Sequence, residues 1–121
     1  MQLGRIGQIA RTVRDINSAT RWYGEVLGLK HLYSFGNISF FECDGTRLFL
    51  SEDKNPANSI LYFQVQDVHR AHLELIERGV EFINAPHMIH QHDDGTEEWM
   101  AFFKDNEGHP LAIIAQAGSR G

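Results

Sequence analysis

At 121 residues, with 42% hydrophobic and 22% charged side chains, the chain can build one compact domain with a real core but not two of ordinary size. Eleven Lys and Arg against sixteen Asp and Glu leave a net charge of -5, the wrong sign for gripping a phosphate backbone, so nucleic acid is not an expected partner. The single cysteine, Cys43, cannot close an intramolecular disulfide, and no basic start followed by a long apolar run marks a signal peptide or membrane span; a cytoplasmic protein without a membrane partner is expected.

The segment Arg5 to Val13 has the length and β-branched content of a strand, and Asp15 then stands where it can cap a helix. Ala19, Trp22, Tyr23, Val26 and Leu27 share one helical stripe, and Gly28 supplies the left-handed stop. Three strands follow, Lys30 to Phe35, Ile38 to Cys43 and Arg47 to Ser51, broken by Gly36-Asn37 and by the two-residue hairpin signal Asp44-Gly45. The polar segment from Asp53 to Ser59 reads as a linker. Beyond it the order returns: a strand from Ile60 to Val65, Asp67 as a cap, an apolar helical face of Val68, Ala71, Leu75 and Ile76, and a stop at Gly79.

A shift of 52 residues lays Val13 on Val65, Asp15 on Asp67 and Ala19 on Ala71, and a shift of 51 brings Gly28 onto Gly79. Later, the stretch from Phe40 to Leu50 matches the stretch from Phe102 to Ile113 once one residue is inserted before the glycine. Matching order, caps and breakers point to duplication. The economical architecture is α+β: two tandem β-α-β-β-β modules in a single domain over 1–121, with module one at about 4–52, a linker at 53–59 and module two at about 60–115. The closing Gly118-Ser119-Arg120-Gly121 reads as a frayed tail.

In such a unit the helix covers one sheet face and the other face needs a partner, which two units can supply for one another as the walls of a cup. Strand alternation puts Ile9, Arg11 and Val13 toward the helix and Gln8, Ala10 and Thr12 on the open face, with Arg11 snorkelling from a helix edge. In the second copy Leu61, Phe63 and Val65 face the helix, and Ile60, Tyr62 and Gln64 face the opening.

Four stretches carry a resemblance to a known family: Ile6 to Asp15, Arg21 to Leu29, Ile60 to Asp67, and Ala101 to Ile113 with its Asp105-Asn106-Glu107-Gly108-His109 turn. Together they resemble the glyoxalase, bleomycin-resistance and extradiol-dioxygenase superfamily, also called vicinal oxygen chelate proteins. The resemblance implies paired modules forming a cup, commonly in a homodimer, and does not select an activity. In metal-using members each copy gives one ligand from its first strand and one from its last. Matched here, those positions hold Gln8 and Phe49 in the first copy and Ile60 and Ala112 in the second. Gln8 offers a carbonyl oxygen, but the other three side chains cannot coordinate a divalent ion, so the expectation is no metal and no cofactor.

Other residues divide between core and opening. Trp22, Tyr23, Phe41 and Phe63 are assigned to core packing. The candidate ligand-binding set is Gln8, Thr12, Arg47, Phe49, Tyr62, Gln64, Trp99 and Phe102, a mixed aromatic and polar lining. His90 and His92 share a strand face, and a turn at Asp94-Gly95 brings Glu97 or Glu98 back beside them, which is open both to a hairpin metal site and to ordinary solvation. Glu98 or His87 could serve an acid or base role if that hairpin folds over the opening. Cys43, between Glu42 and Asp44, has a poor setting for a thiolate.

Residues 1 to 53 carry six basic and six acidic side chains, whereas residues 67 to 98 carry two basic and eight acidic ones. The imbalance suits a small hydrophobic or cationic ligand at the second copy, or a solubilising surface. The function expected is metal-independent small-molecule binding, with a noncanonical isomerase or lyase related to lactoylglutathione lyase, or a metal-dependent enzyme of that superfamily, as alternatives.

Overall fold

The computed structural model describes residues 1–2 and 4–117, so the tail reading at 118–121 lies outside the described residues. The chain divides into two compact units, Met1–Asn58 and Ser59–Gly121, with the division inside the polar linker.

The first unit runs β1 (Gln8–Val13), α1 (Ile16–Arg21) with a π-helical continuation (Trp22–Val26), β2 (Lys30–Phe35), β3 (Ile38–Cys43) and β4 (Thr46–Glu52). Its four strands lie in the order β1-β4-β3-β2, with β1 parallel to β4 and the other pairs antiparallel. A parallel pair needs a crossover, and α1 with the two strands after it provides one. Asp15 caps the helix as its sequence position suggests: its carboxylate accepts the Ser18 amide at 3.0 Å.

One difference from the single-helix expectation changes the core. After Arg21 the helix widens, and the Leu27 amide donates to the Trp22 carbonyl, five residues back, at 3.0 Å. The wider turn rotates the apolar stripe, so Tyr23 is fully buried while Trp22 is only half-buried. Tyr23 thus holds the central place that the 3.6-residue period shares between the two rings. Its ring lies 6.3 Å from that of Phe41, and Val13, Leu48 and Leu50 are also among the buried residues of this unit. Arg11 also departs from expectation: at 3% exposure it is enclosed on the helix side of the sheet rather than snorkelling.

The second unit repeats the plan with β5 (Leu61–Gln64), α2 (Val68–Glu77), β6 (Glu81–Phe82), β7 (His87–Gln91), β8 (Glu97–Lys104) and β9 (Pro110–Ala117). The strand order is β5-β9-β8-β6, β7 also pairs with β8, and β5 runs parallel to β9. β6 and β7 therefore share the place of β2, an edge strand broken around Asn84, whose side chain accepts the Phe102 amide at 2.9 Å. Asp67 caps α2 through the His69 and Arg70 amides, and Gly79 takes φ 90° at its end. Val68 and Leu75 are the buried face of α2, whereas Ile76, expected on that face, is exposed.

The Asp105 to His109 turn has a physical explanation. Asp105 is buried, and one carboxylate oxygen accepts the amides of Glu107 (2.8 Å) and His109 (2.9 Å). Gly108, at φ 84°, allows the chain to reverse under that carboxylate. This bracket sets the register of β8 on β9.

Candidate functional site

The open face of the first sheet is built by the Asp44-Gly45 turn. Both residues have positive φ, 48° and 95°, which is the turn that matches the strand twist in a two-residue hairpin. The turn fixes the pairs Glu42 with Arg47, Phe41 with Leu48 and Phe40 with Phe49. Phe41 and Leu48 then point to the helix and are buried, while Phe40, Phe49 and Arg47 share the opposite face.

On that face the rings form a row. Phe40 lies 4.9 Å from Phe49 and 4.6 Å from Tyr33, with interplanar angles of 23° and 28°, and Phe35 sits beside both Tyr33 and Phe40, at 6.0 and 6.2 Å. Tyr33 and Phe35 reach it because the Gly36-Asn37 turn pairs Phe35 with Ile38 and Tyr33 with Phe40; the bulge between His31 and Tyr33 lies beyond the row. Phe40 is nearly enclosed at 9% exposure, whereas Tyr33 and Phe35 are 44% and 60% exposed. At one end Arg47 donates its Nε–H to the Gln8 carbonyl oxygen at 2.7 Å, and its guanidinium lies 5.4 Å from the Phe40 centroid.

Of the candidate residues in this unit, Gln8, Arg47 and Phe49 are therefore brought together. Thr12 is on the same face but serves the linker, accepting the Ala57 amide at 2.7 Å. Tyr33, Phe35 and Phe40 were not in the candidate set. The signal for Phe40 is in the sequence, since counting outward from Asp44-Gly45 places it opposite Phe49. Tyr33 and Phe35 carry the same kind of signal, since counting outward from Gly36-Asn37 pairs Phe35 with Ile38 and Tyr33 with Phe40.

In the second unit Tyr62 and Phe102 meet edge to face at 5.9 Å, and Tyr62 is 48% exposed. Gln64 is exposed, two residues along the same strand face. Trp99 needs correction as a candidate. It alternates with Met100 on β8 and so lies on the face opposite Phe102, against α2. There its ring centre is 4.9 Å from that of His69, and its indole N–H donates to Glu97 at 2.8 Å. It borders a separate hollow of about 400 Å³ with Gln66, Asp67 and Gln116.

The β7–β8 hairpin places His90 opposite Glu98. His92 Nε2 lies 2.7 Å from Glu98, Gln116 donates to the same carboxylate oxygen at 2.7 Å, and the rings of His90 and His92 are 4.7 Å apart. The hydrogen bonds from His92 and Gln116 hold Glu98 below the usual carboxylate range. His87 is engaged elsewhere, with Nδ1 3.0 Å from the Ala85 carbonyl. Burial, then Asp44 and Glu42, push the Cys43 thiol above its ordinary value of 9.0, which lowers its thiolate fraction.

The matched metal positions do not fit a metal. Phe49, Ile60 and Ala112 have no donor atom, and the Gln8 carbonyl already accepts from a guanidinium, which places a positive charge beside it. Among the described residues no group of three or more His, Cys, Asp or Glu is arranged to hold an ion.

Two mixed sheets, each with its helix on one face and its parallel first and last strands side by side, define a duplicated βαβββ class of protein. The sequence profile of the Glyoxalase/Bleomycin resistance protein/Dioxygenase superfamily matches residues 5–113, and the chain belongs to that superfamily. Among solved structures it is similar to lactoylglutathione lyase from Agrobacterium tumefaciens, with TM-score 0.75 and 18% identity over 95% of this chain and 96% of that one. It is also similar to an integron cassette protein from the mobile metagenome of V. cholerae, with TM-score 0.74 and 20% identity over 95% and 97%. A third is a glyoxalase/bleomycin resistance protein/dioxygenase from Nocardioides, with TM-score 0.72 and 16% identity over 100% and 90%. At these identities the likeness concerns the fold. No curated protein sequence matches the chain. No helix among the described residues is long and apolar enough to cross a membrane.

Proposed function

We propose that this member of the superfamily binds a small organic molecule without a metal ion on the open sheet face of a unit, the face that carries Gln8, Arg47 and Phe49 in the first or Tyr62, Gln64 and Phe102 in the second. The observation that carries the reading is the replacement of donor atoms by a surface of rings. Where the resemblance places ligands, Phe49 stacks in an aromatic row and Gln8 is committed to Arg47. Large exposed rings beside a few oriented polar groups are the composition of a small-molecule site.

Metal independence is tested by exhaustive chelation followed by readdition of Ni, Zn, Mn or Fe. Elemental analysis should find no stoichiometric ion, and metal bound at Gln8 would refute the reading. Ligand contact is tested by Phe49→Ala and Tyr62→Ala, of which the one on the binding face should weaken a small aromatic ligand by about 1–4 kcal/mol while the protein stays folded. Wild-type affinity in both variants would place the site elsewhere. The same proposal includes a homodimer, which would add burial to a small chain; sedimentation at low micromolar concentration should give twice 13.8 kDa.

A second reading, a noncanonical isomerase or lyase, is favoured by the His92–Glu98 pair, since a carboxylate that orients an imidazole is an arrangement able to move a proton. Turnover that survives chelation and is lost in His92→Gln would select it.

A further inference from the structure

We propose that the open face of the first sheet takes a planar aromatic carboxylate, its ring lying over the edges of Tyr33, Phe40 and Phe49 and its carboxylate on Arg47. This rests on the small-molecule reading above and adds the charge and shape of the ligand.

The orientation of the rings decides the sign of the charge. Neighbouring strands lie about 4.7–4.9 Å apart, and the Tyr33, Phe40 and Phe49 centroids are spaced 4.6 and 4.9 Å with nearly parallel planes. The rings therefore stand side by side, one per strand, with their faces turned to one another and their C–H edges outward. An aromatic face is negative and an edge positive. A cation would need a free face, and Phe40 is nearly enclosed, with Tyr33 and Phe49 stacked against it. The protein's own Arg47 already takes the cationic position, 5.4 Å from the Phe40 centroid. What remains outward is a positive rim, onto which a planar π-system can lie in the edge-to-face geometry that aromatic pairs favour.

Arg47 supplies the full charge. It is exposed, and Glu42, directly opposite it in register, instead accepts the Gly45 amide in the hairpin turn. Among the described residues no carboxylate forms an ion pair with Arg47. Gln8 occupies the Nε side of the guanidinium, and the two Nη groups can take a carboxylate. Arg47 and Phe49 are two residues apart on one strand, about 7 Å, which is the span of a bicyclic aromatic acid. The acidic stretch that suits a cation, residues 67 to 98, belongs to the other unit.

The test is calorimetric titration of the full chain with 2-naphthoate, neutral 2-naphthamide and cationic 2-naphthylmethylammonium. Wild-type protein should bind naphthoate at least about tenfold more tightly than either analogue. Arg47→Gln should bring naphthoate down to the naphthamide level, and Arg47→Lys should restore part of the difference. Tyr33→Ala should weaken naphthoate and naphthamide alike, whereas Arg70→Gln, on the exposed side of α2, should change neither. Thermal melts of each variant establish that it is folded, and the wild-type order of the three probes is informative without any variant. If naphthamide or the ammonium binds as tightly as naphthoate and Tyr33→Ala weakens it, the carboxylate inference is overturned while small-molecule binding stands. If none of the three probes binds saturably, both fall.

Discussion

Phe41 in the first unit and Phe103 in the second occupy equivalent places on the helix side of their sheets, and both are fully buried; Leu48 and Leu111, and Leu50 and Ile113, repeat the match. On the other side of the same strands the pairs diverge. Phe40 and Phe102 agree, but Phe49 faces Ala112 in the comparison, Ala10 faces Tyr62, Arg47 faces Pro110 and Glu42 faces Lys104. The helix side repeats because each sheet must bury one face against its own helix, and that problem has the same solution twice. The open side carries no such requirement, so its residues report on what each unit meets there. In the first unit that is an aromatic row ending in a cation; in the second it is one ring pair and a histidine-carboxylate hairpin.

The comparison breaks most readily at the buried pair. Phe41→Ala and Phe103→Ala should each cost about 3–5 kcal/mol, the range for truncating a buried large aromatic, and their costs should be similar because both rings are enclosed to the same degree. Urea unfolding of the two variants measures this. A cost below about 1 kcal/mol at either site would mean that the two cores are not equivalent.

Next in size is a position where the repeat itself fails. Cys43 ends β3 where Asp105 follows Lys104 in the second unit, and only Asp105 brackets a turn, through two backbone amides. Asp105→Ala leaves those amides without their acceptor and should cost about 3 kcal/mol, given the strength of hydrogen bonds to a charged group. Cys43→Ala should cost about 1 kcal/mol or less, since it removes one small half-buried side chain. Equal losses in urea melts would remove the argument that the extra residue in the second turn is there to be bracketed.

The open faces should differ by less. Phe40 has ring contacts with Tyr33, Phe35 and Phe49 and a guanidinium nearby, while Phe102, among the described residues, has one ring contact, with Tyr62. With aromatic pairs worth about 0.5–1.5 kcal/mol each beyond their burial, Phe40→Ala should destabilise by about 1–2 kcal/mol more than Phe102→Ala. Double-mutant cycles of Phe40 with Tyr33 and with Phe49 would assign that excess; no coupling in either cycle would mean that the row is a by-product of strand register.

These contrasts explain what could be read from the chain alone. Local signals with a stereochemical basis carried through: Asp15 and Asp67 as caps, Gly28 and Gly79 as stops, and Asp44-Gly45 as a two-residue turn. Alternation then put Gln8 and Phe49 on one face and Tyr62 on another. One failure came where the period itself changes. The π-helical turn at Trp22–Val26 moved Trp22 out of the central position; Tyr33 and Phe35 are a different case, since strict pairing outward from Gly36-Asn37 already sets them beside Phe40. Trp99 was lost for a different reason: without the β8 and β9 pairing in hand, one residue of uncertainty in register inverts the face. Arg11 shows the limit of a charge rule, since a cationic residue can be enclosed when its strand neighbours are.

The smallest expected effect separates the units by pH. Glu98 accepts from His92 and Gln116, and these bonds hold its carboxyl below the ordinary 4.5. A depressed value means that the unfolded chain takes up the proton first as the solution is acidified. The stabilisation is therefore present above pH 4.5 and is lost as pH falls through the folded value. The position in the first unit that corresponds to Glu98 is Gly36, a turn residue without a side chain to form such a pair, so this contribution belongs to the second unit's hairpin. Glu98→Gln should leave stability near neutral pH almost unchanged, because the pair is solvent-accessible and surface pairs of this kind contribute little. Its effect should instead be a shallower loss of stability on the acid side than wild type shows. Thermal melts from neutral pH downward, on wild type, Glu98→Gln and Gln116→Ala, measure the slope. A Glu98→Gln curve that runs parallel to wild type below pH 4.5 would show that the His92–Glu98 contact does not differ in strength between the folded and unfolded chain.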